Sequence, residues 1–166
     1  GNGRTWLTAS TPSLTISGQH FDKPSIYLSG EGSLYNCLVQ AQKEISGHDY
    51  HVAVNFKTQE GKLLTQIGWS DTDSKAYSGK FESETEFIRG DQKIGFHMNI
   101  HPTEFALDHM PWNISSGQLS YINHQLAINS VSISSQDQAL SVSGKVGAGR
   151  NDSIVARLKN VDINYI

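Results

Sequence analysis

The sequence predicts an all-β fold, an antiparallel meander that forms either a curved open sheet or a β-sandwich with an apolar inner face. Three observations predict it. Apolar side chains recur at every second position in many short segments, which is the period of a strand with one apolar and one polar face. Gly- and Asn-containing turns separate these segments about every eight to twelve residues. No segment carries apolar residues at helical spacing over several turns, so long helices are not expected.

Six segments of the first half have this pattern, and proline, glycine or charged turns bound them. Pro12 and Gly18 bound the first segment, and Pro24 precedes the second. The clearest alternation runs from Tyr50 to Phe56. Turns rich in glycine, aspartate and serine follow at 44–47, 59–62 and 70–74. The predicted strands are residues 8–19, 25–28, 34–40, 50–56, 63–69 and 76–87.

The second half contains the most regular strand pattern of the chain, at residues 94–100, where apolar residues alternate with glycine, histidine and asparagine. Residues 102–108 are predicted as a short helix or an extended segment, and Phe105 and Leu107 favour the strand. Short turns join the later segments, so successive strands should run antiparallel. These later strands are predicted at residues 112–114, 117–121, 126–133, 140–144 and 154–163.

Length and composition indicate one β-rich segment over residues 1–166, with a net charge of -3 and only 17% charged residues. No basic stripe is present to neutralise phosphates, so nucleic acid is not an expected partner. The single cysteine, Cys37, has no intramolecular disulfide partner and is predicted to fill a strand position. The last patterned strand runs directly into Tyr165-Ile166, and we interpret the sequence as a segment excised from a longer protein.

Candidate chemical groups in the sequence all have a plain structural interpretation. His97 and His101 lie four residues apart on one strand, about 13 Å, which is too far to share a metal ion. Glu82, Glu84 and Glu86 share one face and indicate a solvent-facing or edge strand. No nucleophile elbow or phosphate-binding glycine loop occurs. We therefore predict a protein that is not an enzyme, with no catalytic residue, metal ligand or cofactor.

Strings of residues in the last third of the chain also carry a resemblance to a known family. They are 133–138 (ISSQDQ), the Leu140-x-Val142-x-Gly144 pattern, 151–153 (NDS) and 158–166 (LKNVDINYI), with 61–64 (GKLL), Gly68-Trp69 and Trp112-Asn113-Ile114 upstream. In these strings the chain resembles TamB-type (translocation and assembly module) envelope proteins, very long members of the AsmA-like group of Gram-negative bacteria. The resemblance is most specific from Trp112 to the end of the chain.

The resemblance implies a fold, a function and a location. Proteins of this group form long curved antiparallel sheets, a half-pipe or β-taco with an apolar interior. The implied function is a non-enzymatic conduit that spans the periplasm, carries phospholipid acyl chains and supports outer-membrane assembly with a barrel-protein partner. The implied location of this segment is the periplasm, in a parent protein anchored in the inner membrane.

Two uses of the apolar face remain open from the residues themselves. The same positions can line a lipid groove or form an ordinary core. The groove candidates are Val52, Val54, Phe56, Ile94, Phe96, Met98, Ile100, Leu119, Tyr121, Leu126, Ile128, Leu140 and Val142. Unpaired terminal strands of the segment also invite an edge-to-edge homodimer.

The alternative function is a carbohydrate-binding β-sandwich module, because exposed aromatic rings can stack on sugars. Two of the rings, those of Trp112 and Tyr121, lie in register with apolar neighbours, which argues for their burial. The candidate rings are Tyr27, Trp69, Tyr77, Trp112, Tyr121 and Tyr165.

Overall fold

One antiparallel sheet of fourteen strands makes up the fold in a computed structural model that describes residues 3–45, 47–72, 76–89, 94–147 and 152–161. The strands are β1 (Arg4–Ser10), β2 (Ser13–Ile16), β3 (Gln19–Glu31), β4 (Leu34–Ile45), β5 (His48–Gln59), β6 (Lys62–Asp71), β7 (Ser78–Arg89), β8 (Ile94–Ile100), β9 (Thr103–Leu107), β10 (Met110–Ile114), β11 (Gly117–Ile122), β12 (Gln125–Ser135), β13 (Gln138–Val146) and β14 (Ser153–Lys159). Within the described ranges, no helix is long and apolar enough to cross a membrane.

Three pairs of these strands are collinear, which simplifies the topology. Strands β1 and β2 both pair with β3, β8 and β9 both pair with β7, and β10 and β11 both pair with β12. We call each collinear pair, and each remaining single strand, a rung of the sheet. Each rung pairs with the rung that follows it in the chain. The fold is therefore a simple up-and-down antiparallel meander, as the sequence predicts.

The register of the sheet assigns strand residues to two faces, because paired residues of antiparallel strands point to the same side. One face carries the series Val39, Val54, Ile67 and Phe81, which are register partners across β4 to β7. Strand pairs in extensive contact are also hydrogen-bonded neighbours of the sheet, so the described strands form a single layer.

The face that carries Val54 is the concave one. Seven strand residues other than glycine are buried, and the register places all of them on this face: Asp71, Ser83, Thr85, Ile100, Thr103, Trp112 and Ser135. A single-layer sheet buries side chains chiefly where it curls around them. We therefore call this side the inner face and the opposite side the outer face.

A line of irregularities crosses the later rungs and bends them. The strand breaks at Pro102 between β8 and β9, at Ser115 between β10 and β11, and bulges between Ile128 and Val131 in β12. On the next rung, Gly144 has a φ of 130°, and a Cβ there would fall on the backbone of β14. Bulges bend strands and increase their twist, so this line marks a transverse crease in the sheet.

The predicted strands differ from the observed ones mainly near proline. The predicted strand 8–19 is divided at Pro12 into the end of β1 and β2, and most of β1 was missed. Strand β3 continues through Pro24, where a bulge with Lys23 at a φ of 46° accommodates the ring. Residues 102–108 are not helical and form β9. The predicted strand 154–163 is observed as β14, and residues 162–163 lie outside the described part of the chain.

Candidate functional site

The inner face gathers the predicted groove candidates from five strands, β5, β8, β11, β12 and β13. On the C-terminal half, the register pairs Met98 with Leu119, and Leu119 with Ile128. On the N-terminal half, the register series through Val54 continues into β7. Twelve of the candidates lie on this face: Val52, Val54, Phe56, Phe96, Met98, Ile100, Leu119, Tyr121, Leu126, Ile128, Leu140 and Val142. The backbone of Ile94 pairs with Arg89 at the end of the same series.

The inner face is open over much of its area. Val52 is 42% exposed and Phe56 is 36% exposed, although both belong to a central strand. Monomeric proteins seldom leave a contiguous apolar patch above about 300–600 Å² uncovered. Most of the large exposed hydrophobic side chains lie on this face: Leu7, Leu14, Ile16, Tyr35, Val39, Ile45, Val52, Phe56, Phe87, Val146, Ile154 and Leu158. The inner face is therefore an exposed apolar surface of the kind that marks interaction sites in proteins.

One part of the inner face is packed and closed. The rings of Trp69 and Phe105 lie 6.1 Å apart, and the rings of Phe105 and Trp112 stack at 6.3 Å. A Cβ at Gly79 would fall on Phe105 and on the indole of Trp69, so only glycine fits beneath this cluster. Trp112 is 7% exposed and is therefore a core residue.

A band of small hydroxyl side chains crosses the inner face on β7 and β9. Ser83, Thr85 and Thr103 are buried, and their hydroxyl oxygens have no hydrogen-bond partner within the described structure. Sequence reasoning missed this band. The alternation of Glu82, Glu84 and Glu86 already contained the signal, since it assigns the residues between them to the opposite face.

Charged side chains of the inner face lie near strand ends. Outside the bulge of β3, the described strands place three of them on this face, namely Lys43, Asp71 and Arg89. Asp71 accepts a hydrogen bond from the backbone N–H of Ala76 at 3.2 Å. Apart from the hydroxyl band, the inner face therefore has an apolar middle and charged residues only towards its rims.

The outer face is polar and carries the glutamates of β7. Lys62 Nζ lies 2.8 Å from Glu84 Oε1, and this hydrogen bond and charge raise the pKa of Lys62. Gln66 Nε2 donates to Glu82 Oε1 at 2.7 Å. Strand β7 is central, so the edge-strand interpretation of its glutamates was wrong and the outward orientation was right. Among the described residues, no three His, Cys, Asp or Glu side chains gather as a metal site.

The aromatic residues proposed for sugar stacking do not share one surface. Trp69, Trp112 and Tyr121 lie on the inner face, whereas Tyr27 lies on the outer face. Tyr77 precedes β7, with its ring 6.3 Å from that of Tyr50. The remaining ring, at position 165, lies outside the described residues.

Comparisons with protein-family models, with curated protein sequences and with solved structures found no match for this chain.

Proposed function

We propose that this chain is a segment of a non-enzymatic conduit whose inner face carries phospholipid acyl chains. The single observation that carries the proposal is the open inner face, on which apolar side chains from successive strands lie in register on both sides of the hydroxyl band of β7 and β9. A dry core would leave few of these side chains in water, yet Val39, Val52 and Phe56 remain 37%, 42% and 36% exposed.

The length of this face suits a lipid. From β5 to β13 the candidates cross six steps between rungs. At about 4.8 Å a step this is roughly 29 Å, close to the hydrocarbon thickness of a bilayer. Burial of an acyl chain yields about 0.8 kcal/mol per methylene, so a sixteen-carbon chain with half its surface covered gains about 6 kcal/mol.

The polar rims support the same proposal. A headgroup that stays in water avoids the cost of burying a charge, so it belongs at the edge of the groove, next to the strand ends. Transport then requires continuity of the apolar middle and no reacting group. The periplasmic location, the inner-membrane anchor of the parent and a barrel-assembly partner belong to the proposal through the TamB-type resemblance alone.

Co-purified lipid provides the direct test. We expect native mass spectrometry and lipid extraction of the purified protein to detect bound phospholipid. Phe56→Asp, on the inner face, should abolish the bound lipid. Gln40→Asp adds the same charge to the exposed outer face of the neighbouring strand and should leave the lipid in place.

Cys37 supplies an independent reporter, because its register partner is Phe56 and its thiol is half-buried on the inner face. Phospholipid should slow maleimide alkylation of Cys37 but not of a cysteine at the outer-face position 38, introduced as Leu38→Cys in a Cys37→Ser background. A protein that carries no phospholipid, takes up none and shows no thiol protection would refute the conduit. A sugar-array screen would then test the carbohydrate-binding alternative.

A further inference from the structure

The inner face has an apolar concavity with a single charged residue in its wall. It is lined by residues of β3, β4, β5 and β6 and has a volume of about 350 Å³, within the usual range for small-molecule sites. Its apolar wall includes Phe21, Val39, Ile45, Tyr50, Val52 and Trp69. The charged residue is Lys43, two residues from the end of β4.

Two contacts hold the Lys43 ammonium next to Phe21, another residue of the concavity's wall. Its Nζ donates a hydrogen bond to Gln19 Oε1 and lies 5.5 Å from the ring centroid of Phe21. Neither contact neutralises the charge, and no carboxylate forms an ion pair with Lys43 among the described residues. An uncompensated cation therefore stands beside an apolar pocket, at the water-exposed rim of the sheet.

This juxtaposition matches an anionic amphiphile. An acyl chain would fill the concavity towards Val39 and Val54, where the inner face continues into the next rungs. An anionic oxygen at the rim would accept a charge-assisted hydrogen bond from Nζ. A neutral lipid would gain only the first of these interactions.

We infer that this concavity is an entry site for an anionic phospholipid, with the phosphate at Lys43 and one acyl chain along β4 to β6. The inference rests on the proposed conduit and adds to it a headgroup preference and an entry position. The other charged residues of the inner face do not offer the same arrangement, because Asp71 has the wrong sign and Arg89 lies outside the concavity.

Competition between two lipids with identical acyl chains tests the inference. The whole protein is incubated with mixed micelles of phosphatidylglycerol and diacylglycerol, and the bound lipid is quantified by mass spectrometry. We expect the protein to prefer phosphatidylglycerol by roughly three- to tenfold, as one charge-assisted contact at a partly exposed site would give. The preference should weaken in high salt.

Variants of Lys43 distinguish the entry site from the conduit as a whole. Lys43→Met should remove the preference while diacylglycerol still binds, and Lys43→Arg should keep it. Lys57→Met removes an outer-face lysine on the adjacent strand and should change nothing. An unchanged preference for phosphatidylglycerol in Lys43→Met would refute the entry site. A protein that binds neither lipid overturns the conduit itself, so the two failures are distinguishable.

Discussion

Val52 provides the sharpest test of whether the inner face is open. It is 42% exposed, so rather more than half of its surface is removed from water. Full burial of a valine contributes about 1.5–3 kcal/mol, so Val52→Asp should forfeit about 1–2 kcal/mol. The poorer strand propensity of aspartate adds up to about 1 kcal/mol. Because the carboxylate can reach water, the total expected loss in the free energy of unfolding is about 1–3 kcal/mol.

Ile100→Asp is the matched contrast, because Ile100 lies on the same face but is only 8% exposed. Burial of an unpaired carboxylate there should cost more than about 4 kcal/mol or prevent folding. Gln40→Asp, on the outer face, loses no apolar burial, so it should cost only the poorer strand propensity of aspartate, up to about 1 kcal/mol. Urea unfolding followed by tryptophan fluorescence measures all three. Equal losses for Val52→Asp and Ile100→Asp would refute the open face, since both positions would then be covered.

Three further predictions concern stability and ionisation. Thr85→Val should raise the free energy of unfolding by about 1 kcal/mol, because it removes a buried hydroxyl without a hydrogen-bond partner in the described structure. An unchanged or lower free energy in urea unfolding would contradict this prediction. Gly79→Ala should lower the free energy of unfolding by about 1–3 kcal/mol, because the added Cβ collides with Phe105. Gly68→Ala is the control, since its added Cβ meets only Gly79 O at 4.0 Å. Similar losses for both variants would exclude the collision as the cause. The pKa of Lys62 lies above its ordinary 10.5. The ion pair with Glu84 therefore gives its full stabilisation of the fold just below pH 10.5, and this stabilisation is lost as the pH rises through the folded-state pKa of Lys62. In an NMR titration Glu84→Gln should bring the Lys62 midpoint back towards 10.5, and an unmoved midpoint would rule out Glu84 as the cause.

Alternation along single strands made most of the fold predictable. At 50–56 and 94–100, apolar residues at every second position correctly indicated the strands, and turns rich in glycine or charge marked most hairpins. The interruption at Pro102 was harder, because one break in a long rung resembles a boundary between two strands. Most of strand β1 was missed, since Trp6 and Leu7, adjacent apolar residues on opposite faces, obscure the period.

The candidate site was only partly predictable for a physical reason. Alternation tells which residues of one strand share a face, but not which faces of different strands coincide. Pairing across β5 to β8 supplies that information, and it requires register. The pocket beside Lys43 joins residues from β3 to β6 and has no sequence signature. Nor does a strand pattern reveal whether an apolar face is covered, which is why groove and core were equally good interpretations of Val52.

Since each rung pairs only with its neighbours in the chain, stability should propagate along this sheet as it does in a repeat protein. Such an array has quasi-one-dimensional energetics, in which the outermost rungs fray first and the central rungs exchange their amide hydrogens last. Its contacts are close in sequence, which favours rapid folding for a β-protein. A two-strand hairpin added or removed anywhere restores both the chain direction and the faces of the following strands. The length of the apolar face can therefore change by whole hairpins during evolution while the cross-section of the groove stays the same.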